Sequence, residues 1–258
     1  MQNSAEGSTA TERFSRTELL LGKDKLARLQ GSTACVIGLG AVGSYALEGL
    51  VRAGVGRLIV VDFDVIRSAN INRQLLATEH TLGRPKAVAA RERILSINPE
   101  ASVESVEAFV DADTIGSILA HGPGVVIDAI DSLNPKVQLL SAVYKAGVPL
   151  VASMGAATRT DPSMVRVADL FETKVCPLAA RIRRRLKEAG VGRGITCVYS
   201  EQQQDVMELS CEVERESGEL ERGRVRRRLG SLSTITGIFG LTAATEALRI
   251  LAGGLHRS

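Results

Sequence analysis

The stretch Thr33-Ala34-Cys35-Val36-Ile37-Gly38-Leu39-Gly40-Ala41-Val42-Gly43, followed by Leu58-Ile59-Val60-Val61-Asp62, decides the fold. An apolar run ends at Gly38, glycines recur with G-x-G-x-x-G spacing, and a second apolar run ends in an acid about 20 residues on. The pattern predicts a strand, a glycine turn, a helix and a second strand that together bind a nucleotide. Gly38 can make the tight turn, Gly40 lets the backbone approach a phosphate, and Gly43 lets the helix pack closely on the strand. Free N–H groups at the helix start favour an anion. The carboxylate of Asp62 can then accept from ribose hydroxyls. A nucleotide is indicated, but not which one.

Outward from this unit, strand and helix patterns alternate. A helix is expected from Val42 to Ala53 and a strand from Arg57 to Asp62, followed by a polar loop from Phe63 to Leu82. A helix over Gly83 to Ile97 and an alternating strand over Val103 to Phe109 come next, then a short helix from Asp111 to Ala120. Val125 to Asp131 reads as a buried strand delivering two carboxylates to its carboxyl end, before a helix from Pro135 to Ala146 and a strand from Val148 to Ala152. Beyond these lie a strand near Val165 to Ala168, a basic helix from Pro177 to Ala189 and an apolar helix from Thr234 to Ala252. The last is apolar on nearly every face, which predicts burial in the core or at a dimer interface; Thr, Glu and Arg interrupt it too often for a membrane span. The alternation predicts an α/β fold: a Rossmann-like, doubly wound, mainly parallel sheet with helices on both faces.

Composition narrows the function classes. The chain has 258 residues, enough for one large domain, expected over 13–258, after a disordered start over 1–12. Aromatic residues make up 3% and there is no Trp, so a base-stacking platform is not expected. The net charge of +3 hides arginines crowded into 181–193 and 222–228, which points to a local anionic partner. The segment 201–230 is charged and poor in large apolar residues, and is expected to be flexible. Cys35, Cys176, Cys197 and Cys211 form no C-x-x-C pair, so neither a structural zinc nor a disulfide framework is indicated, and a reducing, cytoplasmic setting fits. No basic-then-apolar leader precedes Thr11 and no membrane-spanning run is found.

A second constellation joins Arg73, Lys86 and Asp131. A nucleoside triphosphate needs cations along its phosphates and a metal held through one or two carboxylates. Asp131 could hold Mg²⁺ while Arg73 and Lys86 meet the phosphates. Taken singly, Asp131 reads as a helix cap and the two cations as solvated surface groups. A hydride-transfer enzyme needs no such set, so together they favour ATP over NAD. Cys197 reads as a buried, inert thiol on a strand, and Cys176 and Cys211 sit in more polar sequence. His80, His121 and His256 have no metal-ligand spacing. The basic helix, with Arg181, Arg183, Arg184, Arg185 and Lys187, and the tail Arg222, Arg224, Arg226, Arg227 and Arg228 read either as solvated faces or as a polyanion surface such as RNA.

These residues resemble the ubiquitin-activating-enzyme-like adenylating superfamily. The likeness runs from Arg13-Phe14-Ser15-Arg16 through Gly38 to Gly43, Asp62, Asn70-Ile71-Asn72-Arg73-Gln74 and Gly83-Arg84-Pro85-Lys86 to Asp128-Ala129-Ile130-Asp131. It implies that Asp62 holds ribose, that Asp64, Asn70, Arg73, Gln74 and Lys86 line the nucleotide, and that Asp131 holds Mg²⁺. It also implies that Arg16 reaches the ATP of the other protomer of a homodimer. Within the superfamily, Pro177-Leu178-Ala179-Ala180 with its basic helix, Thr196-Cys197-Val198-Tyr199-Ser200 and Thr236-Gly237-Ile238-Phe239-Gly240-Leu241 resemble the branch that dehydrates threonylcarbamoyladenosine beside the tRNA anticodon. That branch often has Asp where Cys176 stands. The implied partner is tRNA, with room left for a sulfur-relay protein. The alternative is an activator of a ubiquitin-like or sulfur-carrier protein, many of which hold zinc on two C-x-x-C pairs that this sequence lacks. A non-catalytic nucleotide-binding module would not need Arg73, Lys86 and Asp131.

Overall fold

The structure, a computed structural model, describes residues 10–203, 213–214, 226–227 and 229–255. The expectations for Cys211, His256 and most of the disordered start and the 201–230 segment lie outside these residues. The start is nevertheless helical from Ala10, earlier than expected. Helices α1 (Ala10–Arg13), α2 (Ser15–Leu21) and α3 (Lys23–Gln30) lead into β1 (Thr33–Ile37), α4 (Gly43–Ala53) and β2 (Arg57–Val61). Next come α5 (Lys86–Ile97), β3 (Ser102–Val106), α6 (Ala112–Ala120), β4 (Val125–Asp128), α7 (Leu133–Lys145) and β5 (Leu150–Ser153). The remainder is β6 (Val165–Asp169), α8 (Pro177–Glu188), β7 (Thr196–Ser200), the short pair β8 (Val213–Glu214) and β9 (Arg226–Arg227), and α9 (Ser233–Ala252). The β8–β9 pairing is antiparallel and falls in the segment the sequence leaves without structure.

The main sheet has the order β3-β2-β1-β4-β5-β7-β6. Every neighbouring pair is parallel except β6 with β7. Strand residues alternate between two cores, as they must in a parallel sheet covered on both faces. Val36, Val60 and Ile127 pack with α4, α5 and α9, whereas Ile37, Val61 and Val126 face α6, α7 and α8. The order reverses at β1, whose neighbours are β2 and β4, and such a switch point opens a crevice at the carboxyl ends of the strands.

Of the boundaries that move, three have a plain physical reason. The helix expected from Gly83 begins at Lys86, because Gly83 (φ +77°) turns and Pro85 bridges back to Val65. The strand expected to Asp131 stops at Asp128, whose side chain accepts from the Ile130 amide and ends the ladder. Asp111 is the N-cap of α6, accepting from the amides of Asp113 and Thr114.

Helix α9 is long and apolar enough to cross a membrane, in spite of its Thr, Glu and Arg. It lies instead against α4 and the sheet, with Phe239, Ala243 and Ala247 fully buried. Gly240 allows this: a Cβ there would stand 2.3 Å from the Val42 carbonyl oxygen and 2.9 Å from the Ala46 amide nitrogen. Gly240→Ala is therefore expected to destabilise by about 1–3 kcal/mol. Gly116→Ala, at an open helical position with nothing within 4 Å of its Cβ, should stabilise by roughly 0.5–1 kcal/mol. Urea denaturation of both variants checks the opposite signs.

Candidate nucleotide site

The site forms where β1, β2 and β4 end. Gly38 has φ +87°, and a Cβ on it would meet the Ala129 carbonyl at 2.9 Å. Gly43 is tighter, since its Cβ would lie 1.7 Å from the Gly38 carbonyl oxygen. Packing within the chain thus demands both glycines. Gly40 differs: its Cβ position meets nothing nearer than Gln74 Nε2 at 3.7 Å, and its φ is not positive. Nothing in the described chain calls for glycine there, whereas an approaching phosphate would. Among the described residues the amides of Gly40, Ala41 and Val42 have no hydrogen-bond partner, and they stand at the start of α4, where the helix dipole favours an anion.

Asp62, just past β2, holds this loop in place. Its Oδ2 accepts from the Leu39 amide at 2.7 Å and its Oδ1 from the Asp64 amide at 2.8 Å. Burial pushes the carboxyl up, while the Lys86 charge and these two donors work against that. Lys86 is itself buried, contrary to its reading as a solvated group. Its amide donates to the Asp64 carbonyl at 2.9 Å and its Nζ pairs with Asp64 Oδ2 at 2.9 Å. Gln74 is buried, and its Oε1 lacks a partner, beside the Gly40 opening. The 70–74 turn is tied down by Asn70 Oδ1, which accepts from the Arg67 amide at 3.0 Å, and by Ser44 Oγ, which accepts from the Leu75 amide at 3.1 Å. Arg73 Nη1 donates to the Ala69 carbonyl at 2.7 Å. The structure therefore gathers Gly38, Gly40, Gly43, Asp62, Asp64, Asn70, Arg73, Gln74 and Lys86 at the carboxyl ends of β1 and β2.

Asp131 lies across β1 from Asp62, beyond β4, and is exposed. It is not a helix cap, since Ser132 takes that position of α7 and donates its hydroxyl to Asp131 Oδ1 at 3.3 Å. No group of three or more His, Cys, Asp or Glu side chains fit for a metal occurs among the described residues. Asp131 thus offers the crevice an exposed carboxylate, the donor type that can share a Mg²⁺ with phosphate oxygens. Arg16 is elsewhere: Phe14, two residues before it, packs 3.4 Å from the Gly54 Cβ position, beside the amino ends of the strands. One chain does not bring Arg16 to its own nucleotide loop.

The basic helix and Cys176 differ from what their sequence predicts. Arg183 turns inward, donating to the Thr173 carbonyl at 3.0 Å and to its hydroxyl, and Arg185 donates to Asn134 Oδ1. Arg181, Arg184 and Lys187 stay exposed. Cys176 is buried in the α7–α8 core rather than in polar surroundings. Burial pushes the thiols of Cys35 and Cys197 far up, as an inert core role requires.

Sequence reasoning missed one buried pair under the site. Asp128 and Lys136 are fully buried, 2.7 Å apart, and Lys136 Nζ also donates to the Ile130 carbonyl at 3.0 Å. Burial pushes the Asp128 carboxyl up, and Lys136 opposes it. The pair shapes the Ala129–Ile130 turn against which Gly38 rests. A signal was available: Lys136 falls in step with Leu139, Leu140 and Val143 on the buried stripe of α7.

A family model described as the ThiF family matches residues 14–257. The chain is 40% identical to tRNA threonylcarbamoyladenosine dehydratase of Bacillus subtilis over 189 residues, 73% of this chain and 74% of that one. It is 35% identical to the Escherichia coli protein of the same name over 248 residues, 92% of each chain. The crystal structure of the Escherichia coli tRNA N6-threonylcarbamoyladenosine dehydratase in complex with ATP superposes with a TM-score of 0.83 at 34% identity, covering 94% of this chain and 95% of that one.

Asp128→Asn leaves Lys136 charged without a counter-ion, and is expected to cost about 3–5 kcal/mol of stability. Adding Lys136→Met should restore most of that loss; a denaturant double-mutant cycle measures the coupling.

Proposed function

The chain belongs to the ThiF family, and on that premise we propose that it is an ATP-dependent dehydratase of threonylcarbamoyladenosine in tRNA. The observation that carries this reading is the unpartnered amide cradle over Gly40 to Val42, set beside the buried Lys86 at the switch point of a fold shared with an ATP-bound relative. The threonyl carboxylate attacks the α-phosphorus of ATP, the bond to pyrophosphate breaks, and an acyl adenylate forms. A heteroatom of the neighbouring carbamoyl group then attacks the acyl carbon and expels AMP, an N–H of that group gives its proton to solvent, and the ring closes. The net change in the nucleoside is loss of water.

The protein positions and neutralises charge. The loop amides, Arg73 and Lys86 bind phosphate oxygens; Asn70 and Gln74 orient them, and Asp62, already clamping the loop, offers its remaining lone pairs to ribose. Asp131 would hold Mg²⁺, which supplies charge neutralisation of the leaving pyrophosphate. The site is completed in a homodimer by Arg16 of a second copy. Two features support the dimer: Arg16 lies far from its own loop, and its neighbours Leu19 and Leu20 on α2 are each 70% exposed. Arg181, Arg184 and Lys187 face solvent and suit the tRNA backbone, whereas Arg183 and Arg185 serve the protein.

With tRNA bearing threonylcarbamoyladenosine, ATP and Mg²⁺, nucleoside mass spectrometry should show loss of one water from the modified base; an unchanged nucleoside overturns the reading. Lys86→Ala should lower kcat on the order of 100-fold or more. Mixed Arg16→Ala and Lys86→Ala proteins should turn over faster than either alone, because one site in the mixed dimer is intact. Replacing Arg181, Arg184 and Lys187 with Ala should weaken tRNA binding and flatten its salt dependence, by filter binding across a salt series.

A further inference from the structure

Arg159 is a buried arginine that pairs with no acid among the described residues. It is 2% exposed, and among the described residues its one hydrogen bond runs from Nη1 to the Gln202 carbonyl. Its Nε is buried without a partner, and no carboxylate pairs with it among the described residues. A buried guanidinium with an unmet Nε–H costs free energy unless an anion arrives to take it. Burial pushes the Arg159 guanidinium down, and the one group that acts on its charge among the described residues is Cys176, not a carboxylate.

The backbone on both sides is strained to set these two side chains. Thr158, immediately before Arg159, has φ +64°, and Val175, immediately before Cys176, has φ +63°; they are the only non-glycine residues with positive φ among those described. Both are β-branched, for which this region is disfavoured, and the Cys176 amide closes a three-residue turn onto the Lys174 carbonyl at 2.6 Å. Strain of this kind persists where the surroundings enforce it, and collects at functional sites.

Arg159 stands at the same end of the sheet as the nucleotide loop. It follows β5, and its acceptor Gln202 follows β7, the strand beside β5. A short chain of contacts leads back to the phosphate side: the Thr158 amide donates to the Gly230 carbonyl at 2.8 Å, and Asn72, next to Arg73, donates to the adjoining Ser231 carbonyl at 3.2 Å.

We propose that Arg159 is a substrate-binding residue that receives the carboxylate to be activated, holding it for attack on the α-phosphate. This rests on the function proposed above. A carboxylate on a flexible side chain can enter so buried a position, and it takes two guanidinium donors side by side. A tRNA backbone phosphate is the other source of the same chemistry, and the test separates them.

Binding is measured without ATP, for tRNA bearing the threonylcarbamoyl group and for the same tRNA with plain adenosine. Wild-type protein should prefer the first. Arg159→Gln should bind that tRNA roughly 10- to 100-fold more weakly, with its affinity for plain tRNA and for ATP unchanged. Arg159→Lys should fall between. Equal losses on both tRNAs would assign Arg159 to phosphate, and no loss on either would make it structural; both overturn the proposal. Should Arg159→Gln fail to fold in a thermal melt, the wild-type protein decides: free threonylcarbamoyladenosine should displace the modified tRNA, and equal displacement by its methyl ester overturns the proposal. Wild-type protein that yields no dehydrated nucleoside and shows no preference between the tRNAs counts against the proposed function itself, whereas turnover with an unaffected Arg159→Gln counts against this inference alone.

Discussion

Everything at the nucleotide end of this molecule depends on one carboxylate that accepts two amide hydrogens. Asp62 stands where β2 ends and grips the glycine turn through Leu39 and the following loop through Asp64. Hydrogen bonds to a charged acceptor are the stronger kind, and this one is shielded from water. The turn cannot relax without giving up an acceptor that burial has made hard to replace. The loop amides therefore point outward in a fixed geometry before any ligand arrives, which is the condition for electrostatic assistance without reorganisation.

Beneath that clamp a second layer of charge fixes the other wall. Asp128 and Lys136 lie at zero exposure and bond back to the amide and carbonyl of Ile130. Their pairing contributes less to net stability than to shape, because two ions taken from water barely offset their desolvation. What they specify is the Ala129–Ile130 turn, and Gly38 has no room except against it. Lys86 and Asp64 repeat the device nearer the surface, with one partner still open to solvent.

Much of this was legible in the sequence, and the exceptions share a cause. The strand, glycine turn and acid were readable because each rests on local periodicity and spacing, which fixed the sheet and the position of the crevice. Lys86 has a site reading only in company with Arg73 and Asp131; taken singly it reads as a surface lysine, because the chain folds back through Pro85 to Val65, a pairing that local pattern cannot show. Arg183 and Arg185 counted as a charged face, yet an arginine stem is long enough to turn its head inward from the flank of a helix. Asp128 with Lys136 left a trace in the α7 stripe. Arg159 left none, since a loop has no period against which a buried charge would stand out.

The placement of α9 has a consequence for the order of assembly. Its glycines seat it on α4, and the Thr236 hydroxyl reaches the carbonyl of Arg73, 163 positions earlier, at 3.4 Å. During synthesis the glycine turn and its acid leave the ribosome long before this helix does, so the first half of the sheet waits with the apolar face of α4 bare. Domains fold as the chain emerges, and unburied apolar surface invites misassembly in that interval. The nucleotide crevice of a nascent chain thus waits for its last long helix to dock, and a truncated product carrying the whole glycine motif would still lack the helix that covers α4 and meets the Arg73 carbonyl.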